Sequence, residues 1–185
     1  MFAAQNAGSG VAFVGVDIFN TASSTAVFND SFSLAPGYAF TLDQATQAGL
    51  SGFTQGSAVL SSDGNLATVV MQRGIGSPNR YDTYSGLSSE AEIGTTLYFP
   101  QVMRDVSSLG SIYNTLMGIQ NTGPSPATIT ISFTHAYFGN DAVYVFNDVQ
   151  PNTSVYVRSE DLTNLGAFFG SAELSSTEPV AAIVN

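Results

Sequence analysis

The chain has 185 residues, a net charge of −10 and no lysine, its four cations being Arg73, Arg80, Arg104 and Arg158. That balance repels phosphate backbones and anionic lipid, so neither nucleic acid nor a membrane surface is an expected partner. The absence of cysteine removes a disulfide framework and thiolate chemistry, and no apolar run is long enough for a membrane-spanning helix.

In chain order the text is strand-like. The run Phe13–Phe19 is followed by Ala26–Phe28, Tyr38–Leu42 and Ser57–Leu60, each bounded by Gly, Pro, Asn or Ser. After a break, Thr95–Met103 reads as a strong strand whose Pro100 marks an edge, a bulge or a strand end. Thr115–Gln120, Ala127–Thr134, Ala142–Phe146, Ser154–Val157, Gly170–Leu174 and Val180–Val184 complete the set. Alternation in Ile129-Thr130-Ile131-Ser132-Phe133-Thr134 sets three apolar side chains on one face and hydroxyls on the other, as in a half-buried antiparallel strand. Short strands at this spacing predict a sandwich or barrel. Helical signal is confined to Asp43–Leu50 and Ser159–Leu165, where Asp43 or Ser159 would cap a turn or two and Gly49 or Gly166 would end it.

The text also repeats. Gln5-Asn6 returns as Gln120-Asn121 and Pro36 as Pro151, each 115 residues on. Gly56-Ser57-Ala58, Ser61-Ser62 and Leu66–Val70 return as Gly170-Ser171-Ala172, Ser175-Ser176 and Val180–Val184, each 114 residues on. One single-residue indel reconciles the offsets, which predicts a tandem duplication. The expected boundaries are a first unit over 1–71, a Gly-, Pro- and Arg-rich linker over 72–94, and a second unit over 95–185. Unit two carries some twenty-five residues ahead of its Gln-Asn pair and unit one only four. Unit one is therefore expected either to borrow a strand from outside 1–71 or to do without one, with Met1–Asn6 as a short first strand. Candidate donors are segment 95–103 of the same chain and a neighbouring molecule.

Leu97-Tyr98-Phe99-Pro100-Gln101-Val102-Met103-Arg104, then Gly118–Gly123, Gly170-Ser171-Ala172 and Pro179–Asn185 carry a resemblance. In this order they resemble the tandem Ig-like β-sandwich repeats of large secreted and cell-surface proteins of filamentous bacteria such as the Chloroflexi. The resemblance covers most of the second unit and, more loosely, 1–71, where Leu66 stands near the place of Pro179. It implies an all-β fold of two tandem antiparallel Ig-like β-sandwich units and an extracellular or cell-surface location. It transfers no catalytic or ligand residue. The acidic, lysine-free, hydroxyl-rich composition agrees with life outside the cell. Met1–Gln5 has neither the basic nor the apolar region of a secretory leader, as expected for a mature or excised piece.

Chemistry is thinly signalled. His135 is the only histidine, with no Gly-x-Ser-x-Gly elbow, and it reads as a turn or edge residue. Glu90 and Glu92, and Glu160 and Asp161, do not repeat between units and read as solvated carboxylates instead of a glycosidase pair. No cofactor is expected. Calcium is the metal most worth considering, through the loop residues Asp141, Asp148, Glu160 and Asp161, although they lack the spacing of a dedicated calcium loop. Asn29 and Asn152 open sequons on stretches that read as turns. Tyr81, Tyr84, Tyr98 and Tyr113 crowd the linker and the entry to unit two, as rings at a joint or subunit contact would. The expected role is that of a non-enzymatic subunit of a surface filament or sheath, with copies of itself as partners. Leu97, Tyr98, Phe99, Val102, Tyr81 and Tyr84 are the candidate assembly residues. The alternative is a cell-surface adhesin or carbohydrate-binding module, with an exposed groove lined by Tyr and Asn.

Overall fold

The computed structural model describes residues 1–73, 81–87, 92–108, 110–136 and 142–185; of Gln72, Arg73, Tyr81 and Asp82 only the backbone is described. The chain is all-β and antiparallel, and it divides into two compact units, Met1–Ser88 and Ser89–Asn185.

Unit one contains β1 (Phe2–Asn6), β2 (Ala12–Asn20), β3 (Phe28–Leu34), β4 (Ala39–Leu42), β5 (Gly56–Ser62), β6 (Leu66–Arg73) and β7 (Tyr81–Ser85). They form two sheets, ordered β4-β1-β6-β7 and β3-β2-β5. The alternation of β2 aims Val14, Val16 and Ile18 at the interior, and there they join Leu42 and the partly buried Phe2, Phe32 and Phe40. The Phe32 and Phe40 rings, one from each sheet, lie 3.9 Å apart between centroids, so the two sheets of this unit share a core.

Unit two contains β8 (Gly94–Arg104), a small ribbon of β9 (Val106–Ser108) and β10 (Ser111–Tyr113), then β11 (Leu116–Asn121), β12 (Ala127–His135), β13 (Ala142–Val149), β14 (Ser154–Arg158) and the 17-residue β15 (Phe168–Val184). The order is β13-β12-β15-β11-β14, with β8 also on β15. The first half of β15 lies between β12 and β8, and its second half pairs with β11. β15 thus does in one strand what β5 and β6 do in unit one. Ile129, Ile131, Phe133, Phe168, Leu174 and Val180 are buried in a single core.

The duplication is visible bond by bond. Asn6 and Asn121 are both buried. The Asn6 Nδ2 donates to the carbonyls of Gly10 (2.7 Å) and Leu34 (2.9 Å), and its Oδ1 accepts from the Gly8 N–H. Asn121 does the same with Ser125, Val149 and Gly123, each 115 residues on. One amide therefore closes the β1–β2 or β11–β12 turn and ties it to the end of β3 or β13, leaving none of these groups orphaned. Beside it, Gln5 donates to Gly37 O and Gln120 to Asn152 O. Gly37 and Asn152 both adopt left-handed backbone, at φ 77° and 64°, which Gly and Asn tolerate best. Gly56 and Gly170 repeat as well: a Cβ at either would collide with the carbonyl oxygen of Phe19 or Thr134.

Several expectations need correction. Residues 72–94 are not simply a linker, because β6 runs to Arg73 and β7 pairs along it, from Arg73↔Tyr81 to Val69↔Ser85. Polar and aromatic residues at 81–85 hide a strand that tertiary pairing makes. Segment 95–103 is not lent to unit one, since it lies in β8 and pairs with β15 from Phe168↔Arg104 to Leu174↔Leu97. Pro100 falls where that register slips, between Gly170↔Val102 and Ala172↔Phe99, so it marks a bulge on an edge strand. Met1–Asn6 instead supplies a short first strand of its own, β1, which sits between β4 and β6. The helical turns are short 3₁₀ pieces, Gln44–Thr46, Ala48–Leu50, Ser159–Asp161 and Thr163–Leu165. Asp43 caps the first through the Ala45 N–H, and Gly166 at φ 64° ends the last. Ser159 does not act as a cap; it lies inside its turn, and Gly49 lies inside its own. Asn29 lies within β3, not in a turn.

Candidate functional site

The candidate assembly residues do not share one surface. Leu97, Phe99 and Val102 face inward from β8: Phe99 and Val102 belong to the core of unit two, and Leu97 packs against it. Tyr98, between two of them, points the opposite way and is 72% exposed. Tyr84 is partly buried on β7, and the Tyr81 backbone begins that strand. The sequence signal at 97–102 is therefore mainly that of a covering strand, whose inward side chains complete a core.

A polar anchor holds β8 in place. Thr115, buried, accepts from the Met103 N–H through its Oγ1 (2.9 Å) and donates its own N–H to Met103 O (3.0 Å). The same N–H lies 2.9 Å from the buried Ser159 Oγ, and the Ser159 N–H donates to Thr115 O. Arg104 Nη1 donates to Leu162 O, and its Nε lies 3.5 Å from the Asp105 carboxylate. These contacts clamp the C-terminal end of β8 to the 3₁₀ loop. Unit one has Gln44 at the place of Ser159, and its amide bonds Phe53 O instead.

The strand so clamped, β8, makes the largest difference between the units. In unit two, β8 covers the outer edge of β15 over Phe168–Ser175. In unit one, β5 is the equivalent strand and pairs only with β2 among the described residues. The consequence is measurable at matched residues: Ala172 is 4% exposed and Leu174 fully buried, whereas Ala58 is exposed and Leu60 partly so. The other sheet shows the converse. β7 covers β6 in unit one, while at the matching residues of β15, Ile183 and Val184, the only strand partner among the described residues is β11. Among the described residues, each unit thus leaves open the edge that its sister covers.

The outer face of the β13-β12-β15-β8 layer carries a cross-strand row, Val143, Ser132, Glu173 and Tyr98. Val143 and Tyr98 at its ends are strongly exposed. On the outer face of β3-β2-β5, the missing side chain of Gly15 leaves a shallow depression of about 500 Å³. Phe13, Ser31, Ser33, Ser61 and Asp63 surround it. Sequence reasoning missed this feature, which is lined by Phe and Ser where a Tyr/Asn groove was expected.

Among the described residues no group of three or more His, Asp or Glu side chains could hold a metal ion. Asp148 stands in left-handed backbone (φ 59°) where β13 slips register against β12, so it is a bulge residue. Glu160 lies 3.9 Å from Arg158 on the surface, and Asp141 and Glu90 fall outside the described residues. His135 ends β12 with its ring edge-on to Phe168, centroids 5.3 Å apart. No helix among the described residues is long and apolar enough to cross a membrane. Comparison with protein-family models, with curated proteins and with solved structures finds no match to this chain.

Proposed function

We propose that the chain is a structural, non-enzymatic subunit of an extracellular filament or sheath, joined head to tail to copies of itself by strand complementation between sheet edges. The observation that carries this reading is a pair of unlike edges with no second strand partner among the described residues, Ala58–Ser61 of β5 in unit one and Ala182–Val184 of β15 in unit two. Two different edges on one chain make a heterologous contact, and such contacts extend without closing when the rotation does not complete a ring. The Ig-like character of the units and their kinship with tandem surface repeats belong to the same proposal. Electron microscopy of the purified protein beside its solution mass tests it: regular filaments and a concentration-dependent mass are expected. A monomer that stays monomeric across the accessible concentration range would overturn it.

A second reading, a carbohydrate-binding adhesin, is favoured by the depression around Gly15. An exposed aromatic ring with hydroxyls and one carboxylate is a lining suited to a sugar face. Saturable binding of a soluble glycan, lost in Phe13→Ala, would select it over the filament.

A further inference from the structure

The covered counterpart of each open edge shows what that edge can accept. β8 lies antiparallel on β15 beside Ala172–Ser175, the match of Ala58–Ser61 in β5. β7 lies antiparallel on β6 at Val69 and Val70, the match of Ile183 and Val184. Both edges are therefore built for an antiparallel neighbour. We propose that in assembly the two meet: the β5 edge at Ala58–Ser61 of one copy pairs antiparallel with the Ala182–Val184 edge of β15 in the next. The proposal rests on the filament reading and adds its register and its occupant.

Three features select these edges over the others. First, β3 and β4 are outermost in unit one, as are their counterparts β13 and β14 in unit two. Among the described residues those edges are unpaired in both copies of the motif, whereas the edges at Ala58–Ser61 and Ala182–Val184 are unpaired in one copy only. Second, sheet edges that must stay unpaired are blunted by charge, proline or bulges, as β8 is by Pro100 and its register slip. Neither Ala58-Val59-Leu60-Ser61 nor Ala181-Ala182-Ile183-Val184 has any of these. A chain of net charge −10 repels its copies, and these two stretches are uncharged places where backbones can approach. Third, the faces match. Leu60, Ala182 and Val184 pack on their cores, so alternation sends Val59 and Ile183 outward. Paired edges would then run apolar side chains across the joint on both faces.

The absence of native cysteine makes the test direct. Val59→Cys and Ile183→Cys chains, purified separately and mixed under mild oxidation, are expected to form a mixed disulfide-linked pair, with each variant alone forming at least tenfold less. Preferential linking of Val59→Cys to itself would mean a two-fold β5–β5 contact and would overturn the proposal. Val59→Glu with Ser61→Glu should raise the assembly concentration at least tenfold, while Ala39→Glu with Thr41→Glu on β4 should leave it unchanged. Filaments that persist in the β5 variant would overturn the edge assignment and leave the filament reading standing. A wild-type chain that never assembles would overturn both.

Discussion

Unit one and unit two solve the same folding problem with different amounts of core. Unit two gathers seventeen buried apolar residues into one cluster, whereas the described residues of unit one give clusters of four and three. Yet the polar frame is almost superimposable in its bonds, from the buried Asn to the left-handed residue at 37 or 152. The lesson is that backbone hydrogen-bond geometry specifies the motif, and that the covering strand β8 determines how much apolar surface the motif then hides. Arg104 and Thr115 belong to that cover and not to the repeated frame.

The widest expected gap between the units is in their cores. Ile131 and Val16 are equivalent and both are fully buried. Ile131→Ala should cost about 4 kcal/mol and Val16→Ala about 2 kcal/mol, since a larger side chain leaves a larger hole in a more closed core. Hydrogen exchange resolved by unit would read both, and equal losses would break the comparison. The frame should behave the other way. Asn6→Ala and Asn121→Ala each strand two carbonyls and one N–H, and each should cost about 3 kcal/mol. Urea unfolding that separates the two by more than about 1 kcal/mol would show that the frame is not equivalent. The smallest contrast lies at the 3₁₀ turns, where Asp43 and Arg158 are counterparts. Asp43→Ala removes a side-chain cap and should cost about 1 kcal/mol. Arg158→Ala removes a surface ion pair between half-exposed side chains and should cost under about 0.5 kcal/mol. Thermal melts of the two variants would settle the order.

Much of this was legible in the chain itself. The Gln-Asn pairs, the Gly-Ser-Ala triplets and the apolar tails all mark places where the fold makes identical bonds. Pro100 signalled an edge, a bulge or a strand end, and it sits at a bulge on an edge strand. What the text could not carry was partner choice. Leu97-Tyr98-Phe99 reads the same whether it covers β15 or is lent to unit one, because strand sequence encodes faces and not neighbours. Asn29-Asp30-Ser31 reads as a turn, yet pairing with β2 draws it into β3. β7 was hidden for a similar reason, and the β9–β10 ribbon by its brevity. The depression at Gly15 depends on an absent side chain, which periodicity does not register.

One feature of unit two carries a mechanical meaning. Because β15 is unbroken from Phe168 to Val184, it links the layer shared with β12 and β8 to the layer shared with β11. Tension applied along it would load many ladder bonds sideways and together, where the β5–β6 turn of unit one interrupts the path at Asp63–Asn65. Under strain the two halves of the chain would differ in kind: unit two a shear-bearing tie, and unit one the more extensible link.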